Sequence, residues 1–202
     1  MDDTLSIDLV TEAEVADALE QCNFKKGIGP DGFDGTIFKK DEAIKNMAIR
    51  EIAAMMNKGQ VPDHLKCARL VPLTKIKGAT TASIQDVRPI MIKSHIYKIM
   101  EKVILIKLKY TKSKMLMSGR YQNGFKEQRS TCNNLALVVK KVHDRAKDKR
   151  QSMLLIDLHK AYDSVDRQKL LDIIDMRAKT DLEKLIARTI RLLHENNEIE
   201  IG

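Results

Sequence analysis

The chain reads Leu-Ile-Asp-Leu-His-Lys-Ala-Tyr-Asp-Ser-Val at residues 155–165. Residues 153–156 are four consecutive apolar side chains, and so short a run predicts a strand buried on both faces. Asp157 follows the run, and a carboxylate at the end of a buried strand is costly unless a cation or strong donors compensate its charge. Asp157 is therefore either a rigidly held metal ligand suited to phosphoryl transfer or a cap for the next turn.

The residues on either side of this stretch predict several helices. Capping-box spacing occurs at residues 11–14 and 180–183, each followed by an apolar helical pattern. A helix is expected from Asp41 to just before Gly59, another over 94–110, and a third from Thr131. In the third, the apolar residues expected to face inward are Leu135, Val138, Val139 and Val142.

Strands are predicted at three further places. Residues 67–73 and 87–91 are apolar runs separated by a polar link, which predicts a basic hairpin. Residues 198–201 alternate between charged and apolar side chains, as an edge strand does. The predicted class is mixed α/β with more helix than strand.

Charge is unevenly distributed along the chain. The 202 residues carry a net charge of +8, with 43% hydrophobic and 32% charged residues, a balance that excludes a disordered chain. Residues 66–150 hold 21 Lys and Arg against five Asp and Glu, whereas residues 1–34 hold nine acids and two bases. A basic middle favours a polyanionic partner, although solvated helix faces would give the same composition.

The cysteines Cys22, Cys67 and Cys132 lie far apart in the sequence. An odd, dispersed set argues against a disulfide framework and against a zinc site, so we expect a reducing, intracellular compartment. The nuclear and mitochondrial compartments are not distinguished. No apolar run is long enough to cross a bilayer, so no membrane partner is expected.

Five motifs in order resemble the reverse transcriptase family, most closely the polymerases of non-LTR retrotransposons and less closely those of group II introns. The family's Asp-x-x-x-Ala-Phe/Tyr-Asp-x-Val motif is matched at 157–165. Its Gly-Pro-Asp-Gly loop is matched at 29–32 and its proline-containing finger strand at 62–75. Arg-Pro-Ile is matched at 88–90, and Gln-x-Gly-Phe with Arg-Ser-Thr at 122–131.

The resemblance implies the helix-rich fingers and partial palm of a right-hand polymerase, with an incomplete antiparallel palm sheet. Residues 1–34 would form an N-terminal helix and the Gly-Pro-Asp-Gly loop, and residues 35–150 the fingers with the basic hairpin. Residues 151–202 would form a partial palm that stops before the family's Asp-Asp motif.

The resemblance also implies catalytic and nucleotide-binding roles. Asp157 would be the catalytic carboxylate and would bind Mg²⁺ together with the backbone carbonyl of Leu158. Lys75 and Arg88 would hold the triphosphate, with Lys77 competing for the lysine role because the loop length is uncertain. Tyr162 would collide with a ribose 2′-hydroxyl and favour deoxynucleotides.

The same resemblance implies contacts with RNA or an RNA–DNA hybrid. The residues expected to bind nucleic acid are Lys77, Arg120, Gln122, Gly124, Phe125, Lys126 and Arg129.

No Asp-Asp pair follows Asp157, and the chain's Asp-Asp pair lies at residues 2–3. Two-metal catalysis needs further carboxylates, so we expect the chain to be inactive alone. Three interpretations remain open. The chain is a fragment of a longer polymerase, or one piece of a split enzyme completed by a second protein chain. Alternatively, it is a catalytically silent remnant that acts as an RNA-binding or structural subunit of a ribonucleoprotein.

Overall fold

A computed structural model of the chain describes residues 9–25, 27–75, 87–110, 119, 121–144, 150, 152–158, 161–162, 164–195 and 197–201. The chain divides into two compact units. The first unit comprises residues 1–115 and 171–202, and the second comprises residues 116–170.

Seven α-helices, one short 3₁₀ helix and three strands are the regular elements of the described residues. The helices are α1 (Glu12–Glu20), a 3₁₀ helix (Gly35–Lys39), α2 (Glu42–Lys58), α3 (Asp63–Lys66), α4 (His95–Tyr110), α5 (Thr131–His143), α6 (Arg167–Arg177) and α7 (Asp181–His194). The strands are β1 (Ala68–Thr74), β2 (Val87–Lys93) and β3 (Ile199–Ile201). This composition confirms the predicted mixed α/β class.

The three strands form one sheet in the order β2-β1-β3. β1 and β2 pair antiparallel, as the predicted hairpin requires, with Ala68 opposite Lys93. β3 pairs parallel with β1, and the Ala68 N–H donates to the carbonyl of Glu198 at 2.9 Å. The sheet is therefore mixed, and the expected antiparallel arrangement holds for β1 and β2 but not for β3. Four helices, α4 to α7, lie between β2 and β3, and the chain re-enters the sheet in the direction of β1.

Two prolines lie opposite one another in the hairpin, Pro72 in β1 and Pro89 in β2. Because proline has no N–H, this pair belongs to the ladder positions whose backbone groups point away from the partner strand. Pro89 therefore removes a donor from the outer edge of β2. Pro72 lies beyond the part of β1 that pairs with β3, which ends at Leu70.

The hydrophobic core lies in the first unit and is built from α1, α2, α4 and α7. Its largest fully buried side chains are Tyr97, Ile52, Met56, Ile99, Met100, Ile186 and Leu193. The Tyr97 hydroxyl donates to the backbone carbonyl of Leu193 at 2.8 Å, which ties α4 to α7. Within the described residues, no helix combines the length and apolar character needed to span a bilayer.

Helix boundaries in this unit confirm the sequence predictions. The Glu14 N–H donates to the Thr11 side chain, and the Thr11 N–H donates to the Glu14 carboxylate, so the capping box is complete. α2 begins after Asp41 and ends at Gly59, which adopts the left-handed conformation (φ 64°) that favours glycine. The capping box at Thr180 is likewise present.

Two predictions for the second unit are wrong. Residues 153–156 do not form a strand, and their side chains are 66–82% exposed. The four residues of α5 that were expected to face inward, Leu135, Val138, Val139 and Val142, are also exposed. A buried strand needs neighbouring strands and a covering layer, and the described residues of this unit supply neither. Periodicity identified the apolar faces but gave no information about what covers them.

Candidate functional site

The two cations predicted to hold the triphosphate lie at the same end of the β1–β2 hairpin. β1 ends at Thr74 opposite Val87, so Lys75 comes directly after the last pair, and Arg88 lies opposite Leu73. Opposite residues share a face of the sheet, and so do residues two apart along a strand. Arg88 therefore shares a face of the hairpin with Leu73, and Lys75 follows in a bend one residue beyond the end of β1. Both residues are exposed.

A close backbone approach holds the base of this hairpin. A Cβ on Gly29 would lie 2.6 Å from the backbone nitrogen of Ser94 and 2.8 Å from the carbonyl carbon of Lys93. Only glycine fits there, because any side chain would push the loop away from the β2–α4 junction. The Gly-Pro-Asp-Gly loop therefore packs against the strand that carries Arg88.

Sequence reasoning gave no role to His95, which joins the same contact. Its Nδ1 accepts a hydrogen bond from the Gly35 N–H at 2.9 Å, and the Phe24 ring packs perpendicular to it at 5.4 Å. The ring is fully buried, and no partner for Nε2 is found among the described residues. The sequence offered one sign of a role for His95, its position next to Ser94 at the junction of β2 and α4. The Ser94 hydroxyl accepts a hydrogen bond from the Ile96 N–H at this junction.

The loop that contains the Gln-x-Gly-Phe motif is anchored to α5. Asn123 is the only buried residue in the described part of the second unit, and its amide donates to the Asn134 side chain on α5. The Ser130 N–H donates to the Asn133 side chain at 2.7 Å, which fixes the start of that helix. Asn123 was not among the predicted site residues, since a single polar residue inside a loop gives no periodic signal.

Further hydrogen bonds hold the predicted nucleic-acid residues of this loop together. The Gln122 N–H donates to the carbonyl of Gly119 at 3.0 Å, and the Gln122 side chain reaches the carbonyl of Gly124 at 3.4 Å. The Lys126 ammonium also donates to the Gly119 carbonyl at 3.4 Å. The Arg129 N–H donates to the Lys126 carbonyl at 3.3 Å. The structure therefore brings Gln122, Gly124, Lys126 and Arg129 into one compact turn.

Phe125 has an unusual backbone and an unusual exposure. Its φ is +58°, in the left-handed region, which costs about 1–3 kcal/mol for a bulky residue unless something compensates it. The side chain is 97% exposed, so burial does not compensate this cost. Its ring lies perpendicular to the ring of Tyr162, with the centroids 6.5 Å apart. The structure thus joins two predicted site residues, one from the loop and one from the motif after Asp157.

Asp157 lies in an exposed segment without regular secondary structure, not at the end of a buried strand. The adjacent Leu158 is 72% exposed. Together they offer one carboxylate and one backbone carbonyl, which are the hard oxygen donors that suit Mg²⁺. Mg²⁺ keeps several waters and also takes ligands from substrate phosphates, so a site with few protein ligands can hold it. The carboxylate and the carbonyl are oxygen donors of the type that Mg²⁺ binds. In the described part of the chain, no group of three or more His, Cys, Asp or Glu residues forms a metal cluster.

The predicted site residues are divided between the two units. Lys75 and Arg88 belong to the first unit, while Asp157 and Tyr162 belong to the second together with residues 122–129. Convergence of the hairpin cations on Asp157 stays a prediction. Lys77 and Arg120 lie outside the described residues.

Comparison with known proteins gives two matches. The family described as "Reverse transcriptase (RNA-dependent DNA polymerase)" matches residues 76–200. The "RNA-directed DNA polymerase from mobile element jockey" of Drosophila melanogaster is 26% identical over 171 residues, which cover 83% of this chain. The chain spans only 18% of the length of that relative.

The family match extends over more than half of the chain and includes Arg88, the Gln-x-Gly-Phe loop and the motif beginning at Asp157. It agrees with the order of motifs read from the sequence and with the mixed α/β fold. The chain belongs to the reverse transcriptase family.

Proposed function

We propose that this chain is a part of an RNA-directed DNA polymerase that binds a nucleotide and nucleic acid but does not catalyse nucleotide addition by itself. The observation that supports the proposal is the register of the hairpin, which pairs Arg88 with Leu73, two residues before Lys75. Two exposed cations at one end of a hairpin would suit a triphosphate, whose charges extend over several ångströms. The guanidinium supplies a planar fork and the ammonium a point charge.

Asp157 and the carbonyl of Leu158 would hold Mg²⁺ in this function. The ion would supply a Lewis acid that neutralises charge on the triphosphate. Tyr162, which is 78% exposed, would lie beside the sugar and exclude a 2′-hydroxyl by contact. Residues 122–129 would meet the template and primer, because their loop combines cations with exposed backbone.

The subdomain assignment belongs to the same proposal. Residues 1–34 and 35–150 would form the N-terminal segment and the fingers, and residues 151–202 the first part of a palm. The palm would need a second carboxylate pair to hold two metal ions, and no Asp-Asp pair follows Asp157 in the sequence. A second protein chain or the remainder of a longer polymerase would supply it.

Nucleotide binding tests the role of the hairpin. We expect the affinity for a dNTP with Mg²⁺ to fall about 10-fold or more when Lys75→Gln and Arg88→Gln are combined, because each charged hydrogen bond to phosphate contributes roughly 1.5–3 kcal/mol. Isothermal titration calorimetry measures this. The matched control is Lys39→Gln with Lys40→Gln, which removes two charges from the 3₁₀ helix and its end. Equal losses in both double variants would contradict a specific triphosphate site.

Primer extension tests the predicted incompetence. With primer, template, dNTP and Mg²⁺, we expect no incorporation by the chain alone. Robust incorporation that disappears in Asp157→Ala would refute this part of the proposal.

The ribonucleoprotein alternative is favoured by the basic composition of residues 66–150. It predicts RNA binding that weakens steeply with salt and does not respond to Asp157→Asn. It also predicts no Mg²⁺-dependent nucleotide binding. The calorimetric result therefore separates it from the polymerase proposal.

A further inference from the structure

We propose that Phe125 is a base-stacking residue, on whose ring an unpaired nucleobase of single-stranded nucleic acid lies. The inference rests on the proposed function, since it names the ligand chemistry of the loop at residues 121–130. It assigns to Phe125 a contact that neither the motif pattern nor the fold specifies.

The first observation is that the protein exposes this ring without using it for folding. Phe125 is 97% exposed and its φ is +58°. A bulky aromatic residue in the left-handed region persists where the surrounding structure enforces it, and such positions cluster at ligand sites. Glycine or asparagine would occupy the turn more easily, so the turn alone gives no reason for phenylalanine.

The second observation is that the loop presenting the ring is held in place. Asn123 is buried and bonded to Asn134, and the backbone of Gln122 is bonded to Gly119. These contacts fix the backbone directly before Phe125. A loop that is already ordered loses little conformational freedom when a base stacks on one of its side chains.

The third observation is the perpendicular arrangement of Phe125 and Tyr162, with an interplanar angle of 87° and centroids 6.5 Å apart. A perpendicular neighbour covers at most one face of a ring. At least one face of Phe125 therefore stays open to a flat ligand.

The fourth observation is the charge next to the ring. Lys126 and Arg129 follow Phe125 in the same turn, and Arg129 is exposed. An aromatic face beside cations is the combination that binds single strands, where the base stacks and the phosphates meet the cations. A duplex keeps its bases stacked inside, so it offers no base to Phe125.

Fluorescence anisotropy with two labelled oligonucleotides of equal length tests the inference, one of thymidines and one fully abasic. In the parent chain, we expect tighter binding of the thymidine strand. Phe125→Ala should weaken that strand about 10-fold and leave the abasic strand unchanged, since stacking on an aromatic ring contributes roughly a factor of 5 to 150. The matched control is Leu135→Ala, which removes an exposed apolar side chain from α5 and should change neither affinity.

A second variant keeps the test independent of folding effects. The sequence contains no tryptophan, so Phe125→Trp introduces a single indole at the stacking position. Its fluorescence should be quenched by the thymidine strand and not by the abasic strand. Equal quenching by both strands would overturn the inference.

The outcomes separate this inference from the proposed function. If the parent binds neither strand, the proposed nucleic-acid role fails and the stacking role fails with it. If the parent binds both strands equally, or if Phe125→Ala weakens both by the same factor, only the stacking role fails. Arg129→Gln should weaken both strands, because it removes a phosphate contact rather than a base contact.

Discussion

α7 in the first unit and α5 in the second are built from similar sequence patterns but differ in burial. Both begin after a hydroxyl residue, Thr180 or Ser130, and both carry apolar residues at helical spacing. α7 buries Ile186 and Leu193 in the core, whereas α5 buries none of its residues. An amphipathic pattern thus determines which face of a helix can be buried, whereas a partner surface determines whether that face is buried.

The two units also differ in how far their apolar side chains are buried. The first unit holds the hydrophobic core, and the second exposes a row of apolar side chains around Asp157. Exposed apolar patches of this kind are typical of surfaces that bind another chain or a ligand. We therefore expect the first unit to dominate the free energy of unfolding and the second unit to respond mainly in binding.

Truncation of a core side chain should give the largest effect on stability. Ile52 is 1% exposed, and Ile52→Ala should lower the free energy of unfolding by about 2–5 kcal/mol because it leaves a cavity. Leu155 is 81% exposed, and Leu155→Ala should change it by less than about 0.5 kcal/mol. Urea denaturation measures both. Similar losses would mean that the segment before Asp157 is buried after all.

A methyl group at Gly29 should have the next largest effect. Its Cβ would lie 2.6 Å from the Ser94 nitrogen, so Gly29→Ala should destabilise the protein by about 1–3 kcal/mol through displacement of the loop. The control is Gly119→Ala in the second unit, where a Cβ would meet no atom of the described residues within 4 Å. Thermal unfolding compares the two. A neutral Gly29→Ala would show that the loop does not pack on the β2–α4 junction.

Removal of helix caps should give a smaller difference. Thr180→Ala should lower the free energy of unfolding by about 1 kcal/mol, because the Glu183 N–H loses its acceptor at the start of a helix that packs on the core. Asn133→Ala, which removes the acceptor of the Ser130 N–H, should speed amide exchange in the first turn of α5 without shifting the global unfolding midpoint. A global shift of equal size in both variants would indicate that α5 is also part of the cooperative core.

The smallest expected effect is a pH dependence at the contact between α1 and α4. Burial alone would raise the pKa of Glu14, but hydrogen bonds from Lys107 at 2.7 Å and from the Thr11 N–H lower it below the ordinary value of 4.5. Because the pKa of Glu14 is lower in the folded state than in the unfolded state, its ionised carboxylate stabilises the protein above pH 4.5. This stabilisation is lost as the pH falls through the lowered pKa of the folded state. The urea midpoint should therefore decrease toward acid pH.

Glu14→Gln removes this contribution to the pH dependence. The control is Glu12→Gln, which neutralises another acid in the first turn of α1. Acid sensitivity should be smaller in Glu14→Gln than in the parent and in the control. If all three midpoints fall in parallel, the ion pair does not contribute.

The hairpin and most helix ends could be predicted because their causes are local. Gly59 ends α2 through its own left-handed conformation, and Thr11 needs only Glu14 to complete its capping box. The motif order likewise identified the family, which the match over residues 76–200 confirms.

The features that could not be predicted depend on residues far apart in the sequence. β3 pairs with β1 across about 130 residues, and Gly35 meets His95 across 60. Asn123 is buried because Asn134 lies nearby in the folded loop and helix, not because of any pattern around it. Asp157 was expected at the end of a buried strand because four apolar residues, 153–156, precede it. Whether such a run is buried depends on strands and helices from elsewhere in the chain, which the run itself does not specify.

The facing prolines have a consequence for the sheet edge beside Arg88. Pro72 has no N–H, so a third strand alongside β1 would make one ladder hydrogen bond fewer at that position than it makes near Ala68. Among the described residues, three strands pair near Ala68, and β1 and β2 alone pair where Arg88 lies. We therefore expect the edge of β1 near Thr74 to recruit a further strand less readily than the edge near Ala68 does.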